Sequence, residues 1–282
     1  MNFSNKDIER YYDISEAQYR QVWQLEKSRS LHYGYWDHST KNLHEALLRI
    51  NRIIADIAAI NESDHVLDAG CGIGGSSLWL AENIKCKVLG ISLSTRQIEK
   101  AGQLAKGLGL DKLVKFEKKD FTDTGYPDAS FDIIWAIESF NHMIDKKQFT
   151  DEAYRLLKKG GRLVLVDFFK KDGLEGKDKA FVERCAIGWS LNDFAVTEKF
   201  QQQLEDAGFL SNRVIDITKS VWPSAKRLYY AWFPGAFLGF LYRLVHPNAT
   251  KVGKLNLDTA FYQYKCFKRD LWQYNIVLAL KA

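Results

Sequence analysis

The sequence predicts an α/β protein: a seven-stranded, mostly parallel sheet with helices on both faces and a helical lid from the N-terminus and from C-terminal insertions. Three observations predict it. Short, continuous apolar runs alternate with amphipathic segments of helical length, the pattern of strands joined by crossover helices. The first such run ends in the glycine-rich turn Gly70-Cys71-Gly72-Ile73-Gly74-Gly75. After the fifth run the alternation breaks off, and the last two strands are separated by helical, aromatic-rich stretches.

The elements follow in order. Leu43, Ala46, Leu47, Ile50, Ile53, Ile54, Ile57 and Ala58 recur at three- and four-residue spacing, one face of a long helix over 43–58. Val66-Leu67-Asp68-Ala69 is too short and apolar for anything but a buried strand, and a helix starts near Ser76 after the glycine turn. Strands over 87–91 and 113–117 bracket a helix from Ser94 to about Gly107, with Ile98, Ala101, Leu104, Ala105 and Leu108 on one side. Residues 131–137 form a fourth strand. The helix over 146–158 faces inward through Phe149, Ala153, Leu156 and Leu157 and ends at Gly160-Gly161. Arg162-Leu163-Val164-Leu165-Val166-Asp167 is the fifth strand, a helix through Gln201-Gln202-Gln203 leads to a sixth near 213–217, and 274–280 closes the sheet. The chain thus divides into a helical cap (1–60), a ligand-binding core (61–169, continued in 197–219), a helical lid insertion (170–196), an aromatic-rich lid insertion (220–258) and a closing core segment (259–282).

Composition removes several classes. With 46% hydrophobic and 27% charged residues the chain is globular, so neither a disordered tail nor a fibrous repeat fits. The net charge of +5 is carried in scattered lysine dyads, such as Lys118-Lys119 and Lys170-Lys171, rather than on one face, so nucleic acid is not an expected partner. Cys71, Cys86, Cys185 and Cys266 form no C-x-x-C pair, and no metal is expected. The polar opening Met1-Asn2-Phe3-Ser4-Asn5-Lys6-Asp7 lacks the apolar stretch of an export signal, and a cytoplasmic or membrane-peripheral location is expected.

The chemistry starts at the glycine turn. A strand running into glycines and then a helix lets backbone approach a ligand closely and aims free N–H groups at it. Gly70-x-Gly72-x-x-Gly75 also fits a dinucleotide fingerprint, but a nicotinamide fold wants an acidic residue about 20 positions on, for the ribose hydroxyls. No Asp or Glu occurs from Asn83 to Ile98, which counts against NAD.

Val66-Leu67-Asp68-Ala69-Gly70-Cys71-Gly72-Ile73-Gly74-Gly75 resembles the first motif of class I S-adenosylmethionine-dependent methyltransferases, whose Rossmann-like fold has the sheet described above. Gly90-Ile91-Ser92-Leu93-Ser94-x-x-Gln97 resembles the second-strand signature of the branch containing tocopherol, sterol and cyclopropane-forming enzymes, and the resemblance implies ribose contacts from Ser92, Leu93 and Gln97. Lys119-Asp120-Phe121 resembles the loop where an Asp meets the adenine amino group and an apolar neighbour covers the ring. Leu157-Lys158-Lys159-Gly160-Gly161 resembles the turn before strand five, with Lys159 in place of the usual proline. Leu31-His32-Tyr33-Gly34-Tyr35-Trp36-Asp37 is similar to the segment that covers the sulfonium, where Tyr33 would offer an aromatic face to a cation; the alternative is that these are core aromatics packed under a helix. The implied cofactor site is Tyr33, Asp68, Gly70, Gly72, Ser92, Leu93, Gln97, Asp120 and Phe121. It holds S-adenosylmethionine and releases S-adenosylhomocysteine.

Methyl transfer is an in-line displacement, so the protein mainly holds acceptor and methyl in line, and a base is needed only when the acceptor must lose a proton. Glu138-Ser139-Phe140-Asn141-His142-Met143 resembles a segment shared by sugar, polyketide and tocopherol methyltransferases. The resemblance implies His142 as general base, with Asp167 as its orienter; the alternative is that His142 caps the following helix and Asp167 pairs with a lysine. For an alkene acceptor the carboxylate of Glu138 would instead stabilise a carbocation. His32 is the second choice of base, while His38, His44, His65 and His246 read as ordinary surface or structural residues. Between Trp222 and His246 stand eight aromatics in 25 residues: Trp222, Tyr229, Tyr230, Trp232, Phe233, Phe237, Phe240 and Tyr242. Three readings stay open: a wall of an apolar acceptor pocket formed by Asn141, Trp222, Tyr229, Phe233 and Phe237; lid or dimer packing; or a peripheral membrane contact through 222–246. The expected activity is methylation of a hydrophobic small molecule (prenylated, phenolic or sterol-like) by a monomer or homodimer. The alternatives are O- or N-methylation of a sugar, polyketide or amine, and an inactive binding protein that kept the fold.

Overall fold

A computed structural model of the chain describes residues 3–23, 25–245 and 251–282. His246 and the side chains of Phe240 and Tyr242 lie outside the described residues. In chain order the elements are α1 (Asn5–Val22), α2 (Leu25–Ser28), α3 (Leu43–Ile57), β1 (His65–Ala69), α4 (Gly75–Asn83), β2 (Lys87–Ser92), α5 (Thr95–Gly107), β3 (Val114–Lys118), β4 (Phe131–Ile137), α6 (Lys146–Leu156), β5 (Leu157–Lys170), α7 (Gly176–Gly188), α8 (Thr197–Asp206), β6 (Phe209–Asp216), α9 (Thr218–Val245), α10 (Lys251–Lys268) and β7 (Trp272–Lys281).

The strands form one seven-stranded sheet in the order β3-β2-β1-β4-β5-β7-β6, with β7 antiparallel to both its neighbours. Alternate residues feed two cores. Val66, Ile133, Trp135, Val164 and Val166 face α3 and α4, while Leu67, Ile134, Ala136, Leu163 and Leu165 face α6 and α8. Burial on both faces is why the strands read as continuous apolar runs. The order reverses between β1 and β4, and the crevice beyond their C-terminal ends is where such a sheet receives a ligand.

Two local expectations are corrected. The glycine pair does not end a helix: α6 stops at Leu156, and Gly160-Gly161 lies inside β5, where pairing with β4 slips from Phe131↔Leu157 to Ile133↔Arg162. Gly160, at φ +75°, takes the bend of that irregularity. Leu108 caps the end of α5 and is 38% exposed, so the inward face of that helix is Ala101 and Ala105.

Candidate active site

The turn after β1 is pinned to the neighbouring strand, with the Gly70 and Cys71 N–H groups both donating to the Ile91 carbonyl (3.0 and 2.9 Å). Gly70 sits at φ +96°, and a Cβ there would lie 2.3 Å from that of Ser139. Gly72, at φ +55°, has nothing within 4 Å of the place a Cβ would occupy. One glycine is therefore required by the fold, and the other leaves room on the cavity. Gly74 begins α4 without a side-chain cap, which leaves the amide groups of its first turn for a ligand.

These elements wall a cavity of about 520 Å³. Asp68, Gly70, Gly72, Ser92, Leu93, Gln97, Asp120, Phe121, Glu138 and His142 all line it, as does His32. Ser92 Oγ donates to Gln97 Oε1 (2.7 Å), so two of the three residues expected at the ribose lie together. Asp120 accepts from Thr122 N (2.8 Å) and caps the turn that carries Phe121, whose ring packs on Phe149. Asp68 is buried and accepts from Ser77 Oγ; burial pushes its carboxyl up to about 7.

The opposite wall is α1, which contributes Asn5, Ile8, Glu9 and Tyr12. Asn5 donates to Asp120, Glu9 pairs with Lys118 (2.7 Å), Asp13 accepts from Ser94 Oγ (2.9 Å), and the Tyr12 hydroxyl meets His142 Nε2 (2.8 Å). These residues carry no motif. The available signal was the spacing of Ile8, Tyr11, Tyr12 and Ser15 on one helix face.

Burial pushes His142 down to about 3 and His32 to about 4, so both imidazoles are neutral near pH 7. His142 Nδ1 is enclosed without a partner. His32 Nδ1 lies 3.0 Å from the Tyr33 carbonyl and therefore carries the proton, leaving Nε2 as a buried acceptor without a partner.

Glu138 follows β4 in a left-handed conformation, φ +47°. It accepts from Tyr33 N (2.5 Å) and the Tyr274 hydroxyl (2.6 Å), both on Oε1, and keeps part of its surface on the cavity. Burial raises its carboxyl from 4.5 to about 8, with the two donors opposing. A group raised in the folded chain contributes stability that is full below pH 4.5 and lost as pH rises through about 8. From pH 5 to 8 the melting temperature is expected to fall by a few degrees relative to Glu138→Gln. Parallel melting curves would show that Glu138 is ionised throughout.

Other expected site residues fall elsewhere. The Tyr33 ring is buried outside the cavity among Trp23, Phe168 and Tyr274, and only its N–H reaches Glu138. Asp167 does not hold His142. Its oxygens accept from Asn141 N (3.0 Å), Asn141 Nδ2 (2.7 Å) and Phe168 N (2.8 Å), and Tyr12 holds the imidazole instead. Asn141 is used up in the fold, because its amide also donates to Phe168 O and accepts from Ala195 N. Trp222, Tyr229, Phe233 and Phe237 are absent from the cavity wall. Trp222 and Tyr229 stack on Tyr264 of α10, and Phe233 and Phe237 are 49% and 62% exposed. The cause is α9's anchorage outside the 33–36 strap, where Ser220 O and Ser224 Oγ accept from the Trp36 backbone and indole N–H groups.

Comparison with known proteins supplies the family. The profile of a methyltransferase domain matches residues 67–165. The 27-O-demethylrifamycin SV methyltransferase of Amycolatopsis mediterranei is 33% identical over 218 residues, covering 77% of this chain and 79% of that protein. The chain belongs to the S-adenosylmethionine-dependent methyltransferases. A probable tocopherol O-methyltransferase of Oryza sativa is 28% identical over 78% of this methyltransferase and 65% of its own length. In fold, the cyclopropane synthase structure from Mycobacterium tuberculosis superposes with a TM-score of 0.83 at 15% identity, covering 100% of this chain and 99% of that one. A geranyl diphosphate methyltransferase structure gives 0.80 at 21% identity over 99% of both chains. S-adenosylmethionine is thus the methyl donor, and the open space at Gly72 beside the uncapped start of α4 is a cradle that fits it.

Proposed function

We propose that this methyltransferase acts on a hydrophobic small molecule of prenylated, phenolic or sterol-like character, with His142 as the general base. The bound cofactor supplies a methyl group activated on a sulfonium. Asp120 and Phe121 hold its adenine end, Ser92, Leu93 and Gln97 its ribose, and Asp68 with the glycine turn the remainder. What supports an apolar acceptor is the likeness to the rifamycin and tocopherol methyltransferases; the observation that carries the choice of base is α1 used as a ruler. Asn5 touches Asp120 and Tyr12 touches His142, seven residues apart, so the adenine end and the imidazole are separated by about 10 Å of helix rise, room for a nucleoside between them. His142 is neutral there and can take a proton, while Tyr12 fixes its ring.

A second base is favoured by one observation: the tautomer of His32 is set by the Tyr33 carbonyl, which leaves its Nε2 lone pair without a partner. On either assignment the acceptor loses a proton to an imidazole, and Glu138 is reserved for alkene acceptors.

Supplying methyl-labelled S-adenosylmethionine and purified enzyme to a cell extract, then partitioning the products, is expected to put label in the organic phase. Label confined to water would replace the apolar acceptor with a sugar, amine or polar phenol.

A further inference from the structure

Helix α9 carries aromatic side chains on two sides, and over its described residues one of those sides is covered and the other is not. Val221 and Ala225 are buried, Trp222 and Tyr229 stack on α10, and Trp232 packs on Phe261. On the other side Tyr230, Phe233 and Phe237 are 65%, 49% and 62% exposed. They continue a stripe that begins with the exposed Lys219 and Lys226, all five at helical spacing. Three large rings exposed side by side mark an interaction surface, so this face wants a cover.

Charge says what kind. From Thr218 to Leu257 the chain has six basic residues (Lys219, Lys226, Arg227, Arg243, Lys251, Lys254) and no acidic one, although it holds 35 Asp and Glu in all. A second copy is a poor cover: a twofold contact sets a patch against itself, so two cationic segments would meet. No described helix is long and apolar enough to cross a membrane. Exposed aromatics within a purely basic segment match an anionic bilayer surface, where rings settle at the headgroup level and cations meet phosphates.

We propose that the Lys219-Lys226-Tyr230-Phe233-Phe237 face of α9 docks on an anionic lipid surface, with the three rings in the interfacial layer. This holds whichever acceptor is methylated, so its test reads binding and not turnover.

The full chain is floated with vesicles of phosphatidylcholine alone or phosphatidylcholine mixed with phosphatidylglycerol. Binding to the mixed vesicles is expected to be about tenfold tighter, since each cation near the surface contributes, and to weaken as salt is raised. Tyr230→Ser, Phe233→Ser and Phe237→Ser combined should abolish flotation, and Lys219→Glu with Lys226→Glu should remove the preference for phosphatidylglycerol. Affinity for S-adenosylhomocysteine, measured by calorimetry, should be unchanged in both variants and so reports an intact fold. No flotation of the parent chain, or equal flotation of the triple variant, overturns the proposal. So does a dimer in solution that the triple variant dissociates, which would assign the face to a second copy.

Discussion

Replacing Gly72 by valine is expected to weaken S-adenosylmethionine binding by about tenfold to hundredfold while the protein still folds. A side chain at φ +55° costs about 1–2 kcal/mol in the left-handed region, paid equally with and without ligand. Nothing lies within 4 Å of the new Cβ, so no protein atom must move, and the melting temperature should drop by only a few degrees. The added methyls instead stand in the cavity, where overlap of about 1–3 kcal/mol becomes that loss of affinity. Gly70→Val makes the contrast. Its Cβ would lie 2.3 Å from that of Ser139, so the damage falls on the folded chain itself. Calorimetry and thermal melts of the two variants separate these effects. If Gly72→Val binds the cofactor normally, the ligand does not pass the glycine turn.

What could be read from the sequence divides along a physical line. Strands buried on both faces leave continuous apolar runs, so β1 and β4 were found nearly to the residue, while of β5 only the apolar middle, 162–167, was read and its ends at Leu157 and Lys170 were missed; the glycine turn was legible because close backbone approach admits few alternatives. Ser92, at the end of β2, and Asp120, just beyond the end of β3, line the same cavity as that turn. Contacts made by tertiary packing were not legible. Periodicity shows that α9 is rich in aromatics, but not that α10 takes one of its faces, nor that Ser224 holds it outside the strap. The family resemblance pairs Asp167 with His142, yet Asn141 intercepts the carboxylate through its N–H and its amide. Tyr33 was expected to turn its ring to the sulfonium, but the same residue supplies a backbone donor to Glu138, and its hydroxyl goes to Gln263.

Replacing His142 by alanine is expected to lower kcat by about 10²–10⁴-fold, the usual contribution of a positioned acid–base group, with S-adenosylhomocysteine affinity unchanged. His32→Ala is the necessary partner experiment, because both imidazoles line the cavity and both are neutral. The larger loss identifies the base. The pH profile sharpens the test. A base works only when unprotonated, and burial has pushed these groups down to about 3 and about 4, so neither should impose an acid limb on kcat above pH 5. An acid limb centred near 6.5 would mean that the working imidazole is solvated in the complex, against the enclosure found at His142 Nδ1. Tyr12→Phe removes only the hydroxyl at Nε2. It should cost less than His142→Ala, because the ring stays on the wall and loses orientation, not its proton acceptor. Full turnover in both histidine variants, together with its loss in Glu138→Gln, would move the chemistry from proton removal to the stabilisation of positive charge on an alkene carbon. The methyl acceptor would then have no acidic proton at all.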